Sequence, residues 1–202
     1  LIDFDYIFLA IPVESIKKQL KIILDKISKQ TLVIDLGSTK YQICNSVKTH
    51  DKRANFLAAH PIAGTEFSGP VAAHKDLFTN KVMILCETEN TNSSLLLSAI
   101  EIFQKLGMKI KRMDSLEHDK HIAYVSHLSH ISSFMLGKTV MDKEDDQQTI
   151  YDMAGSGFES TVRLAKSSPE MWSSIFIENK NNIIESLEEY ILNINNFKKL
   201  IE

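Results

Sequence analysis

The chain of 202 residues predicts an α/β fold: a doubly wound, largely parallel sheet followed by an all-helical part. Three observations predict it. Short apolar runs alternate with helical patterns as far as residue 113, the signature of helices laid on both faces of a parallel sheet. The first runs are nearly continuous in apolar residues rather than alternating, as strands buried on both faces are. Beyond Asp114 the apolar period becomes helical and stays so to the end.

Tyr6 to Ala10 (YIFLA) reads as the first strand, ended by Ile11-Pro12. From Val13 to Ser28 the residues Val13, Ile16, Leu20, Ile23, Leu24 and Ile27 recur at helical spacing, with lysines opposite, and predict an amphipathic helix on the sheet. Thr31 to Leu36 is a second strand, followed by Gly37-Ser38-Thr39-Lys40 and a helical stretch from about Tyr41 to His50. A third strand, Phe56 to His60, runs into a long polar segment over 61–80 that holds Gly64, Gly69 and Pro70. A connection of that length inside a compact domain points to function. Lys81 to Cys86 is the fourth strand, Ser93 to Leu106 a helix ended by Gly107, and Met108 to Met113 the fifth strand. Asp114 or Ser115 then caps a helix expected to run to about Thr139 or beyond. A turn with Gly155 and Gly157 leads into Phe158 to Lys166, and Ser168-Pro169-Glu170 starts a final helix. Its apolar row includes Met171, Trp172, Ile175, Ile183, Ile184, Tyr190, Ile191, Ile194, Phe197 and Leu200, and favours a dimer over packing within one chain.

The bulk properties narrow the function classes. A hydrophobic content of 44% suits a soluble domain with a sizeable core. A net charge of −3 gives no basic footprint for nucleic acid, and no apolar run is long enough for a membrane span. Cys44 and Cys86 sit inside ordered elements, which suits reduced thiols in the cytoplasm. The chain opens on Leu1, in the approach to a strand, so a segment upstream is expected; no signal-peptide pattern is present.

The candidate site begins at His60-Pro61-Ile62-Ala63-Gly64-Thr65-Glu66, where an apolar strand delivers a histidine to a turn. In open α/β sheets chemistry gathers outside the carboxyl ends of the strands. His60 is therefore a candidate base, the alternative being a strand-end hydrogen bond. The turns Ala10-Ile11-Pro12-Val13 and Leu36-Gly37-Ser38-Thr39 have residues suited to a cofactor lying along strand ends, although Ser38 also reads as a helix N-cap and no Gly-x-Gly-x-x-Gly occurs. Ser126-His127-Leu128-Ser129-His130 sets two imidazoles at i and i+3, where one can hydrogen-bond a substrate; a metal would need a third ligand, and none is spaced to supply it. His118 and His121 read as surface or helix-face residues. Arg163 offers a planar fork for a carboxylate, with an ordinary surface ion pair as the other reading, and Trp172 reads as core or interface.

With HPIAGTE, DLGSTK, SHLSH and STVRLAKSSPEMW in this order, the chain resembles the prephenate dehydrogenase family, which includes the arogenate and cyclohexadienyl dehydrogenases. The likeness spans nearly all of it, and residue 1 falls shortly before the family's fourth strand. The resemblance implies that residues 1–113 are the C-terminal part of a Rossmann-like dinucleotide-binding domain. It makes 114–202 a helical substrate-binding and dimerisation domain. It also implies NAD as cofactor, oxidative decarboxylation of prephenate or a related cyclohexadiene to 4-hydroxyphenylpyruvate, and a homodimer in the cytoplasm. An arogenate dehydrogenase, or a non-catalytic dimeric ligand-binding module, are the alternatives. By the same likeness His60 and Ser38 are catalytic, and Ile11, Pro12, Val13, Ser38 and Thr39 face the cofactor. His127, His130, Arg163, Thr65, Glu66 and Trp172 line the substrate pocket, with Trp172 reaching in from the other subunit. Where several relatives carry an aspartate three residues before the arginine, this chain has Ser160 beside Glu159.

Overall fold

The computed structural model describes residues 4–64, 69, 72–143 and 149–202. Within them five strands form one sheet in sequential order: β1 (Tyr6–Leu9), β2 (Leu32–Asp35), β3 (Phe56–Ile62), β4 (Val82–Cys86) and β5 (Lys109–Met113). The strands β1, β2 and β3 are parallel, with Leu9, Asp35 and Ala58 in register, and β4 pairs with β5 in parallel as well. The β3–β4 pair is antiparallel, with His60 opposite Ile84, so the sheet is largely rather than wholly parallel. Leu9, Asp35 and Ala58 thus place the carboxyl ends of the first three strands at one edge, and His60 lies two residues past that row.

Side chains alternate across the sheet, as the pleat requires. Leu32, Ile34, Leu57, Ala59, Met83 and Leu85 face α3 (Ser93–Lys105) through Leu96, Ala99 and Phe103. Val33, Phe56, Ala58, Ile84 and Cys86 face the other way, under α1 (Val13–Lys26), α2 (Tyr41–Ser46) and α8 (Pro169–Glu178). Both faces are covered, as the α/β reading requires. α1 buries the predicted residues Val13, Ile16, Leu20 and Leu24. α3 starts on Asn92, whose side chain accepts from Ser94 N and Leu95 N, and ends at Gly107, whose φ of 76° is left-handed backbone that favours glycine.

The helical part refines the sequence reading in one place and departs from it in another. Asp114 caps α4 (Ser115–Ile122), and the helix runs past Thr139 as expected, but through a π-helical segment, Ala123–His127, into α5 (Leu128–Met141). There Leu128 N–H donates to the carbonyl of Ala123, five residues back, so one extra residue is held in the turn. After α6 (Thr149–Asp152) and α7 (Ser156–Val162), Arg163–Lys166 form a 3₁₀ turn. Ser168 caps α8 with Pro169 at its first position, as predicted. The final helix is nevertheless two helices, α8 and α9 (Lys180–Ile201), broken at Asn179. Asn179 is buried because its side chain donates to the carbonyl of Asp119, a hydrogen bond a regular helical surface would not offer.

Candidate active site

His60 is half-buried at the end of β3, and its Nδ1 lies 2.9 Å from Nε2 of His118. His118 is 1% exposed, which corrects the reading of this residue as a surface histidine. Its Nδ1 in turn donates to Oδ1 of Asp119 at 2.8 Å. The Asp119 carboxylate is itself fixed by two backbone donors at the start of α2, Lys40 N at 2.7 Å and Tyr41 N at 2.9 Å. Burial, followed by the charges of His118, Lys40 and His127, holds the His60 imidazole well below its ordinary pKa. At neutral pH the ring is therefore uncharged.

The turn that carries Ser38 is locked to the same place. Lys40 is fully buried, and its ammonium donates to both oxygens of Asp35 at 2.6 and 2.7 Å and to the carbonyl of Ala59 at 2.7 Å. One cation thus joins the end of β2 to the residue preceding His60. A lysine is almost never buried without such a partner, and here all three of its donors are used. Burial raises the Asp35 carboxyl, and the charge of Lys40 opposes that rise. Gly37 N donates to Asp35 Oδ1, and a Cβ on Gly37 would stand 3.0 Å from that oxygen and 3.1 Å from Ile16 Cδ1. Glycine is required there by close approach.

At the strand-end turns, Ile11 and Pro12 are exposed and Ser38 is half-buried. Val13 is buried in the core, so it can meet a ligand only through its backbone. The hydroxyl of Thr39 is sealed from solvent without a hydrogen-bond partner among the described residues. An unpartnered buried hydroxyl beside Ser38 fits a polar group held along this edge, where a dinucleotide would lie.

The second cluster is aromatic. His130 stacks on Trp172 with ring centroids 3.6 Å apart, and its Nδ1 donates to the carbonyl of Ser126 at 3.0 Å. His127, fully buried, meets Trp172 and Phe176 edge-on. Asn179 donates to its Nδ1 at 3.2 Å, and burial pushes its imidazole down to about 4. His127 Nε2 and Trp172 Nε1 are sealed without partners among the described residues. Burial also lowers His130, the Ser126 carbonyl opposes this, and Arg163 is near enough to lower it further. Arg163 borders a shallow cleft with Ser156, Glu159, Ser160 and Lys166, where Glu159 faces Lys166 at 3.8 Å. The structure thus links these groups in succession: His127 acts electrostatically on His60, His130 on His127, and Arg163 on His130. Trp172 of the same chain is buried against His127 and His130. Thr65 and Glu66 lie outside the described residues.

Sequence reasoning passed over His118, Asp119, Asp35, Lys40 and Asn179. The one signal available was Asp35, an ionisable residue closing an otherwise apolar strand. No group of three or more His, Cys, Asp or Glu side chains converges on a metal position among the described residues, and no described helix is long and apolar enough to cross a membrane.

Residues 1–112 match the family model described as prephenate dehydrogenase, nucleotide-binding domain, and 114–202 the one described as prephenate dehydrogenase, dimerization domain. A prephenate dehydrogenase of Bacillus subtilis is 28% identical over 198 residues, covering 97% of this chain and 53% of the relative. A crystal structure of prephenate dehydrogenase from A. aeolicus, in complex with hydroxyphenyl propionate and NAD+, superposes with a TM-score of 0.86 at 31% identity over 98% of this chain and 68% of that one. Synechocystis arogenate dehydrogenase superposes with a TM-score of 0.81 at 27% identity, covering 98% of this chain and 72% of that structure. The chain spans about half the length of the Bacillus relative. The fold and the matched models define a nucleotide-binding dehydrogenase with a helical second part. The chain belongs to the prephenate dehydrogenase family.

Proposed function

We propose that the protein carries out the NAD-dependent oxidative decarboxylation of prephenate to 4-hydroxyphenylpyruvate, a step toward tyrosine. One observation carries the reading: His60, kept neutral at the carboxyl edge of three parallel strands, lies within electrostatic reach of His127, which is coupled in turn to His130 and through it to Arg163. A neutral imidazole can take up a hydroxyl proton at neutral pH. NAD, when bound, accepts the hydride that leaves the ring carbon. His60 polarises and then deprotonates the ring hydroxyl on that carbon, with Ser38 as a second hydrogen-bonding group. Arg163 holds a prephenate carboxylate through its planar fork, and His130, fixed by Ser126 and Trp172, orients the ring. Carbon dioxide leaves as the ring becomes aromatic, and the phenolate oxygen takes the proton back. The chain's residues orient the substrate and hold its proton until it is returned, with no covalent step of their own.

Thr65 and Glu66 complete the pocket in this reading, and Ile11, Pro12, Val13 and Thr39 face the cofactor. The domain boundary falls at 113/114. Two copies pair through the helical domain, supported by the exposed row Ile184, Ile191, Ile194, Phe197 and Leu200 on α9. Two buried free thiols, Cys44 and Cys86, suit the cytoplasm. Similarity to the Synechocystis enzyme keeps arogenate as the second substrate to test.

The test is NADH formation by protein expressed from the complete reading frame, with prephenate and arogenate in competition. Prephenate is expected to be preferred, and His60→Asn to lower kcat by about 10²–10⁴-fold with KM little changed. No NADH from either substrate, or near-normal turnover in His60→Asn, overturns the reading.

A further inference from the structure

Resting on His60 as the base of the proposed reaction, we infer that His118 and Asp119 form a proton relay behind it, in which His118 is a positioning residue that sets the His60 tautomer and then receives its second proton. The Asp119 carboxylate can only accept, so the 2.8 Å contact makes His118 Nδ1 the donor. With both rings neutral, His118 Nε2 is then bare and must accept from His60 Nδ1–H across 2.9 Å. That leaves the lone pair of His60 on Nε2, which makes no hydrogen bond to any described residue. The acceptor orbital needed for a substrate hydroxyl is therefore presented by a series of bonds fixed at its far end by two backbone amides.

The same series answers a difficulty. His60 alone is a weak base, since burial and the charges of His118, Lys40 and His127 oppose its charged form. If Nε2 accepts the hydroxyl proton and Nδ1 passes its own to His118 Nε2, the charge comes to rest on the ring that faces a carboxylate. Two N–H bonds form and one O–H and one N–H break; no oxidant or further base is needed. The phenolate oxygen later recovers a proton by the reverse path, so the relay gains and loses nothing over a turnover and needs no outlet to water. The charged and titratable groups around it are Asp35 and Lys40 from the β2–α2 turn, Asp119 on α4 and His127 from the π-helical segment. Among the described residues, Asp119 alone is in contact with His118 and of the sign that favours its imidazolium.

Two experiments test the relay. Nitrogen-15 histidine NMR of the full protein without ligand, which needs no turnover, is expected to show His60 protonated at Nδ1 and bare at Nε2, and His118 protonated at Nδ1. A proton on Nε2 of neutral His60 overturns the proposal even if the enzyme is active. The second is the pH profile of kcat for His118→Gln and Asp119→Asn beside the parent. Glutamine keeps an acceptor near Nε2 but cannot become a cation, so kcat is expected to fall about 100-fold and the acid limb to move to lower pH. Asp119→Asn is expected to move that limb in the same direction by a smaller amount. The solvent isotope effect should report two protons in flight in the parent and one in His118→Gln. A loss of kcat with the acid limb and the isotope effect unmoved indicates a merely structural role and overturns the relay. Should the parent form no NADH, the proposed reaction fails instead, and the NMR result still decides the tautomers.

Discussion

The two faces of the sheet are built from alternate residues of the same five strands, yet they hold different physics. Toward α3 the buried cluster is wholly apolar, Leu32 to Met108, and its role is packing. Toward α1, α2 and α8 the same strands carry Asp35 and His60 among valines and isoleucines, and the covering elements supply Lys40, His118 and Asp119. Lys40 is tied there to Asp35, and His118 to both His60 and Asp119. A two-residue step along β3, from Ala58 to His60, moves from core to chemistry without changing face. Stability and reactivity are thus separated by the pleat, and only one face is exposed to the desolvation cost of charge.

Three substitutions break or sharpen this contrast. Lys40→Met removes the cation and leaves the Asp35 carboxyl buried without its counter-charge, at an expected cost of about 3–5 kcal/mol in chemical denaturation. Burial raises Asp35, and a carboxyl raised in the folded state adds stability below its unfolded pKa and loses it as pH rises through the folded one. The deficit in Lys40→Met should therefore be smallest in acid and grow toward neutral pH; a pH-independent deficit would show that Asp35 is not the group left exposed to the loss. Gly37→Ala sets a methyl against Asp35 Oδ1 and Ile16, costs about 1–3 kcal/mol, and by displacing the Ser38 turn lowers kcat/KM by up to about 100-fold. Unchanged kinetics would separate that turn from the site. Asn92→Ala, on the apolar side, removes the α3 cap for about 1 kcal/mol, read as a lower Tm, with kcat unaltered.

Much of this was legible in the chain. The five strands, the caps at Asp114 and Ser168 and the turns bearing Ser38 and His60 are local patterns, and local patterns are what apolar periodicity and cap chemistry record. The partners of His60 were not legible, because they are long-range. His118 stands in Leu116-Glu117-His118-Asp119-Lys120, a stretch polar enough to read as solvated, and its burial depends on β3, 58 residues earlier. Lys40 likewise reads outward, since the carbonyl that completes its bonds belongs to Ala59. The π-helical segment and the break at Asn179 are decided by contacts across the helical part, chiefly the Asn179 bonds to Asp119 and His127. Spacing alone carries no trace of them.

That extra residue between Ala123 and His127 acts as a setting of phase. In an α-helix each residue advances the side chains by about 100°, so a single residue accommodated without a new turn rotates everything that follows relative to everything before. His118 is aimed at the sheet from before this offset, His127 closes it against Trp172, and His130 stacks on Trp172 beyond it. Were one residue removed and the helix allowed to run true, the proton-handling end and the substrate-holding end would still be formed, each intact, but turned out of line like two cogs slipped by a tooth.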